Sequence, residues 1–260
     1  MQRILPFWLV AALAACTGSH KPSCGAPTTA PVPAGVETIR FAAGDGVTVT
    51  ADLYAPHPAS APMIVLFHQA GYSRGEYREI APKLTALGFN ALAVDARSGQ
   101  EVHGVGNDTA ADACGHGKPT NYVDAIADLR AAVGEARKRT TGKLVVWGSS
   151  YSSALVLAIG ADLGADAILS FSPGEYFADQ GKPKTWVADN AKRIAVPVFI
   201  TSAKSEHDDW APIAAAIDPA KLTTFLPETA GHHGSSALWA SQPDNAAYWT
   251  AVTAFLKPLA

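Results

Sequence analysis

The sequence is poor in cysteine and has no marked excess of charge of one sign. Only 3 cysteines occur among 260 residues, and neither a Cys-x-x-Cys pair nor a His/Cys cluster at metal-ligand spacing is present, so the sequence predicts no metal site. The 20 basic and 23 acidic residues give a formal net charge of -3 and form no long run of one sign. The basic face that nucleic-acid binding needs is therefore not expected, and the sequence does not indicate an oligomeric state.

The sequence also has no apolar run of the roughly 20 residues that a bilayer-spanning helix needs. Residues 1–15 combine a positive charge at Arg3 with a mainly apolar stretch, which is typical of a signal peptide. The letters LAAC at residues 13–16 resemble the lipobox of bacterial lipoproteins, so we expect Cys16 to be lipidated. A plain secretory signal is the alternative. The expected location is the bacterial cell envelope (outer membrane or periplasm) through a lipid anchor, or a soluble secreted form.

Residues 16–35 are rich in Gly, Ser, Pro, Thr and Ala, and Val32 is their only aliphatic side chain larger than alanine. Such a segment cannot bury enough apolar surface to order itself, so we expect a flexible tether. Cys24 lies in this tether and Cys114 lies far along the chain. An exported protein permits a disulfide between them, but the sequence does not decide whether it forms. Residues 36–260 are expected to form one folded domain.

From residue 36 onward, the sequence predicts two strands and then an alternation of strands and helices. The turn residues at 44–46 separate strands at 36–41 and 47–54, which indicates an antiparallel hairpin. This alternation predicts an α/β fold with a mostly parallel sheet and helices on both faces, and functional residues beyond the carboxyl ends of the strands. The further strands are predicted at 63–67, 90–94, 144–147, 167–171, 198–201 and 223–226, and the helices at 76–87, 121–139, 151–159 and 248–256.

A nucleophile is expected at Ser150. The apolar strand at 144–147 runs into the letters GSSYS at residues 148–152, and a helix follows, which is the arrangement of a nucleophile elbow. The positions two before and two after the nucleophile must be small because strand and helix crowd there, and Gly148 and Ser152 are small. Ser149 would have the bulky Trp147 at the first of these positions, so the spacing selects Ser150. A serine-rich helix N-cap is the alternative interpretation.

On these residues, the chain resembles the α/β-hydrolase superfamily and is most similar to its dienelactone-hydrolase-like members, over residues 36–259. The segments IVLFHQAG at 64–71 and PVFITSAKSE at 197–206 extend the likeness. The resemblance implies the α/β-hydrolase fold with no large cap domain, for which the segment between Phe171 and Pro197 is too short. It also implies an oxyanion hole formed by the backbone N–H groups of Gln69 and Tyr151. His68 is expected to be a structural residue at a strand end.

The resemblance further implies a catalytic acid and a catalytic base. Counting along residues 197–206 puts Glu206 at the acid position, with Asp208 and Asp209 as competitors. Two adjacent histidines follow the last predicted strand; we expect His233 to be the base, with His232 as the alternative. The chain order of serine, acid and histidine is the order found in this fold.

Together these residues predict hydrolysis of a carboxylic ester or similar acyl bond through an acyl-enzyme on Ser150. Residues 36–260 would be the catalytic domain, the substrate would be a small acyl compound, and no cofactor is expected. The alternatives are an acyltransferase or peptidase on the same scaffold, or a non-catalytic surface binding protein that retains the fold. The loop 96–120 is expected to overhang the site. Candidate pocket residues are Tyr72, Arg97, Tyr176, Trp210 and Trp239, and a place in the core is the alternative for each of the aromatic residues.

Overall fold

The structure, a computed structural model, describes residues 30–260. The predicted signal peptide, the predicted lipidation site at Cys16 and the tether up to residue 29 lie outside the described residues. Cys114 is disulfide-bonded. Because Cys16 and Cys24 both lie outside the described residues, the pairing of Cys24 with Cys114 stays open, as the sequence leaves it. Among the helices of residues 30–260, none has the length and apolar character needed to cross a membrane.

A mostly parallel β-sheet forms the centre of the fold. The strands are, in chain order, β1 (Val36–Ala42), β2 (Thr48–Tyr54), β3 (Met63–Phe67), β4 (Asn90–Val94), β5 (Glu101–Val102), β6 (Val105–Gly106), β7 (Leu144–Ser149), β8 (Ala167–Phe171), β9 (Val198–Thr201) and β10 (Leu222–Phe225). The sheet has eight strands in the order β1-β2-β4-β3-β7-β8-β9-β10. The β1–β2 hairpin and the β2–β4 pair are antiparallel, and the other pairs are parallel. The predicted α/β-hydrolase fold is confirmed.

Helices cover both faces of this sheet. They are α1 (Ile80–Ala86), α2 (Asp108–Gly115), α3 (Ile126–Arg139), α4 (Tyr151–Ala158), α5 (Trp186–Ala191), α6 (His207–Ala216) and α7 (Asn245–Leu256). Alternate side chains of β3 enter two separate apolar clusters, because successive residues of a strand point to opposite faces. Val65 packs in the cluster that contains residues of α3 to α6, whereas Ile64 packs with residues of α1 and α7. Only α5 and a short 3-10 turn interrupt the chain between β8 and β9, so this segment holds no large cap domain.

Two predictions about elements were wrong in detail. The helix predicted at 76–87 is a 3-10 turn at Arg74–Tyr77 followed by α1, because the first of these segments directs polar side chains into the protein. The loop at 96–120 is not structureless: it forms the β5–β6 hairpin and then α2, whose N-cap is the Asn107 side chain. Its helix packs beside β2, where the Thr48 N–H donates to Asp112 at 2.7 Å, so this part does not overhang the site.

Candidate active site

The predicted elbow is a sharp turn between β7 and α4. Ser150 has φ 58° and ψ -122°, a backbone conformation that residues other than glycine rarely adopt. The residue is only partly buried. A Cβ added at Gly148 would lie 2.4 Å from Ser153 Cα, so strand and helix approach too closely there for any other residue. The second small position is filled by Ser152, whose Oγ accepts a hydrogen bond from the Ser149 N–H at 2.9 Å. This buried serine thereby ties the turn together.

A carboxylate and an imidazole meet at the same edge of the sheet. Glu206 ends a 3-10 turn after β9, and His233 lies in the loop after β10; His233 Nδ1 is 2.6 Å from Glu206 Oε1. Burial works against protonation of the imidazole, but the hydrogen bond and charge of Glu206 outweigh it and raise the pKa of His233. Burial also disfavours the Glu206 carboxylate, yet the bonds from His233 and Ser172 hold its pKa below the usual value.

The histidine loop lies against the elbow. A Cβ added at Gly234, which follows the histidine directly and has φ +68°, would lie 2.6 Å from Ser149 Oγ and 2.4 Å from Gln69 Oε1. The Ser150 N–H donates to Phe171 O at 2.7 Å, which joins the elbow to β8. Within residues 30–260, no direct hydrogen bond joins the Ser150 and His233 side chains. The elbow, the acid and the histidine therefore follow neighbouring strands, and among the side chains of Ser150, Glu206 and His233 only the last two share a hydrogen bond within residues 30–260.

The competing residues have other partners. The His232 N–H donates to Tyr248 Oη at 3.3 Å, and no contact of its side chain with Glu206 occurs in the described part of the chain. The Asp208 side chain is fully exposed and lies 3.1 Å from the His207 ring. Asp209 is likewise exposed. Of the carboxylates considered from the sequence, only Glu206 touches His233.

Ser172 is a site residue that the sequence did not single out. It follows β8 with φ 56°, and its hydroxyl donates to Glu206 Oε2 at 2.6 Å. Ser172 Oγ in turn accepts the Gly234 N–H at 2.9 Å. Ser172 therefore links the acid to the histidine loop. The one signal in the sequence was its position at the carboxyl end of a predicted strand.

The two predicted oxyanion donors differ in their surroundings. Tyr151 is the first residue of α4, and N–H groups in the first turn of a helix have no intrahelical acceptor. The Gln69 N–H instead donates to Glu76 Oε2 at 2.8 Å, so it is already bound inside the protein. The Gln69 carbonyl accepts the Tyr72 N–H at 3.2 Å. In a trans peptide the N–H and C=O groups point in opposite directions, so the Ala70 N–H faces away from Tyr72.

Three of the five candidate pocket residues are part of the interior. Arg97 is buried, and its guanidinium nitrogens form ion pairs with Asp45 at 2.6 Å and with Asp128 at 2.7 Å. Trp210 is also buried and donates to Ser202 Oγ at 2.7 Å. Trp239 is buried too and donates its indole N–H to Glu76 O at 2.9 Å. For Trp210 and Trp239 the alternative of a core position therefore holds, and Arg97 as a pocket residue was wrong.

The two remaining candidates, Tyr72 and Tyr176, lie beside the site. Tyr72 is partly exposed and stacks on Trp239 with ring centroids 6.0 Å apart. Tyr176 is also partly exposed and donates its hydroxyl to Ser172 O at 2.9 Å. His68 is fully buried and accepts the Ala96 N–H at 2.9 Å, which is the structural role expected of it. No group of three metal-ligating side chains occurs within residues 30–260.

Comparisons with known proteins agree with this architecture. The model described as "Dienelactone hydrolase family" matches residues 49–221. No curated protein matches the chain. An esterase from Pyrococcus furiosus has a similar structure, with 18% identity, a TM-score of 0.66, and coverage of 86% of this chain and 92% of that one. A dienelactone hydrolase from Anabaena variabilis is also similar, with 13% identity, a TM-score of 0.62, and coverage of 86% of this chain and 97% of that one. An acetyl xylan esterase from Paenibacillus sp. R4 has 16% identity, a TM-score of 0.65, and coverage of 86% of this chain and 84% of that one. At these identities the structural likeness shows the fold.

Proposed function

Because the chain belongs to the dienelactone hydrolase family, we propose that it hydrolyses carboxylic esters through an acyl-enzyme on Ser150. The observation that carries this proposal is the 2.6 Å contact between Glu206 and His233 next to a strained elbow serine. Several similar structures are described as esterases, among them the Pyrococcus furiosus and Paenibacillus proteins, which favours an ester as the bond cleaved.

In the proposed reaction, His233 acts as the base and Glu206 orients it. Glu206 holds the imidazole through Nδ1, which leaves Nε2 as the nitrogen that takes the Ser150 proton when the hydroxyl attacks the ester carbonyl. The charge of Glu206 stabilises the imidazolium so formed. The same nitrogen then protonates the leaving alcohol, and a water molecule activated by His233 releases the acyl group.

The tetrahedral oxyanion needs two preorganised N–H donors. The first proposed donor is the Tyr151 N–H at the start of α4, where the helix dipole also favours negative charge. For the second, we propose the Ala70 N–H in place of that of Gln69, because the Gln69 N–H is bound to Glu76. The loop after β3 still supplies the donor, one residue further along the chain.

A reactive fluorophosphonate and a series of simple esters test the proposal. Ser150→Ala should abolish covalent labelling and lower kcat by about 10³-fold or more, as expected when a triad serine is removed. Ser60→Ala is the matched control, since this exposed serine precedes β3 at the opposite edge of the sheet; it should label and turn over like the parent. Labelling that survives in Ser150→Ala would refute Ser150 as the nucleophile.

A further inference from the structure

Glu76 is a buried carboxylate that the proposed reaction does not use. It lies in the 3-10 turn Arg74–Tyr77 and is 0% exposed. This turn comes shortly after the loop that follows β3 and carries the Gln69 and Ala70 N–H groups, here called the oxyanion loop. An acidic side chain is rarely buried unless hydrogen bonds compensate the loss of hydration. The bonds that Glu76 makes therefore indicate what the carboxylate does in this protein.

The carboxylate connects the three segments that build the site. Its Oε2 accepts the Gln69 N–H of the oxyanion loop at 2.8 Å, and its Oε1 accepts the Ser149 hydroxyl of the elbow at 2.7 Å. Ser149 Oγ in turn accepts the Ser235 N–H, two residues after His233, at 2.8 Å. The Glu76 carboxylate thus contacts the oxyanion loop and the elbow directly, and the histidine loop through the Ser149 hydroxyl.

The charge of Glu76 interacts with the charge of the His233 imidazolium. Burial raises the pKa of Glu76 to about 7, against the hydrogen bonds and the charge of His233, which lower it. The titratable groups that interact with it include His233, Tyr77 on the same turn, and Tyr72 and Tyr151 on neighbouring segments. The ionised form of Glu76 adds to the effect of Glu206 in raising the pKa of His233.

We propose that Glu76 is a positioning residue that holds the oxyanion loop, the elbow and the histidine loop in register and stabilises the imidazolium of His233. This inference rests on the proposed function. By binding the Gln69 N–H, the carboxylate sets the orientation of the next peptide, so that the Ala70 N–H is left for the oxyanion. When it is ionised, above its pKa of about 7, its negative charge favours the transfer of the Ser150 proton to His233.

The variant Glu76→Gln tests the positioning of the three segments and the stabilisation of the His233 imidazolium without a large change in packing. The amide oxygen can accept the Gln69 N–H and the amide nitrogen can donate to Ser149 Oγ, so the side chain fits without its charge. Glu79→Gln is the matched control, because Glu79 is an exposed carboxylate three residues along the same segment. Three measurements are compared: steady-state kinetics, the titration of His233 by NMR, and the thermal midpoint of unfolding.

In Glu76→Gln we expect kcat to fall by about tenfold or more with KM little changed, since the charge acts on the transition state. The His233 pKa should fall in Glu76→Gln and stay at the parental value in Glu79→Gln. Parental kcat together with a parental His233 titration would overturn the proposal. So would a loss of activity that only follows a lower thermal midpoint, with the His233 pKa unmoved.

The NMR titration does not depend on turnover, which keeps the two proposals distinguishable. If the parent neither hydrolyses esters nor reacts with the fluorophosphonate at Ser150, the proposed function fails. A His233 pKa that still falls in Glu76→Gln would then support the electrostatic coupling of Glu76 to the histidine. If the parent is active and the variant is indistinguishable from it, only the role of Glu76 fails.

Discussion

At the scale of single residues, two adjacent histidines have opposite expected roles. Of the two histidines, His233 contacts the Glu206 carboxylate, whereas His232 makes a hydrogen bond to Tyr248 through its backbone N–H. We expect His233→Ala to lower kcat about as much as Ser150→Ala, because members of a triad act as a unit and their losses are not additive. His232→Ala should cost far less. Steady-state kinetics on a simple ester compares the two variants.

The control for this pair is the double variant of Ser150→Ala with His233→Ala, which should be no slower than either single variant. A His232→Ala protein that is inactive while His233→Ala retains turnover would reverse the assignment. Folding of each variant can be checked by its thermal midpoint, since His233 is only partly buried and its loss leaves no large cavity.

Some of these residues could be predicted from the sequence and others could not. The sharp turn at Ser150 was predictable because the requirement for a small residue two positions earlier is local, and Trp147 argued against a turn centred on Ser149. Ser172 and Glu76 were not predictable, because their roles arise from contacts with residues more than 30 positions away. A serine after a strand and a glutamate in a polar segment carry no local pattern that marks them.

At the scale of elements, the elbow requires glycine at its first small position. A Cβ on residue 148 would approach Ser153 Cα at 2.4 Å and Ser152 O at 2.5 Å, and both are backbone atoms that cannot move without shifting α4. We expect Gly148→Ala to cost about 1–3 kcal/mol of stability, as overpacking does, and to abolish activity by displacing Ser150. Chemical denaturation and ester kinetics measure the two effects.

Gly134→Ala provides the comparison for that variant. Gly134 lies exposed within α3 and has nothing within 4 Å of an added Cβ. Alanine is favoured over glycine in a helix interior, so this variant should gain about 0.5–1 kcal/mol and keep full activity. A Gly148→Ala protein that is as stable and active as Gly134→Ala would show that the elbow is looser than its geometry indicates.

The positions of the elements were easier to predict than their ends. The strands at 90–94, 167–171 and 198–201 coincide with β4, β8 and β9, since each is a short apolar run buried on both faces. The helix predicted at 76–87 was misplaced because the prediction used the spacing of apolar residues such as Ile80 and Leu84. That spacing does not reveal that the polar side chain of Glu76 is buried. The short β5–β6 hairpin and α2 were missed because their composition is that of a loop.

At the scale of the whole molecule, the sheet explains why distant residues assemble. The site residues follow β7, β9 and β10, and the carboxyl ends of parallel strands meet at one edge of a sheet. The chain order was therefore enough to predict that these groups converge. It was not enough to predict the buried charges, such as Arg74 between Asp52 and Asp95, because ion pairs inside a protein depend on tertiary packing.

Buried charge also makes the stability of the molecule depend on pH. The pKa of Glu76 is about 7 in the folded protein, against a reference value of 4.5. Between these values the folded state keeps a proton that the unfolded state has lost, so the free energy of unfolding falls as the pH rises. The contribution of this proton is fully present below the unfolded-state pKa and is lost as the pH rises through the folded-state pKa.

We therefore expect the stability of the parent to fall relative to Glu76→Gln as the pH rises. The relative loss from about pH 4.5 to pH 7 should approach about 3 kcal/mol, because each pKa unit corresponds to about 1.4 kcal/mol. Urea denaturation of both proteins across this range measures it. The difference between the proteins cancels the titration of groups whose pKa the substitution leaves unchanged, and it includes the titration of His233, which is coupled to Glu76. Glu79→Gln should run parallel to the parent, since its carboxylate is exposed. A constant difference between the parent and Glu76→Gln would mean that Glu76 titrates as an ordinary glutamate, which its complete burial argues against.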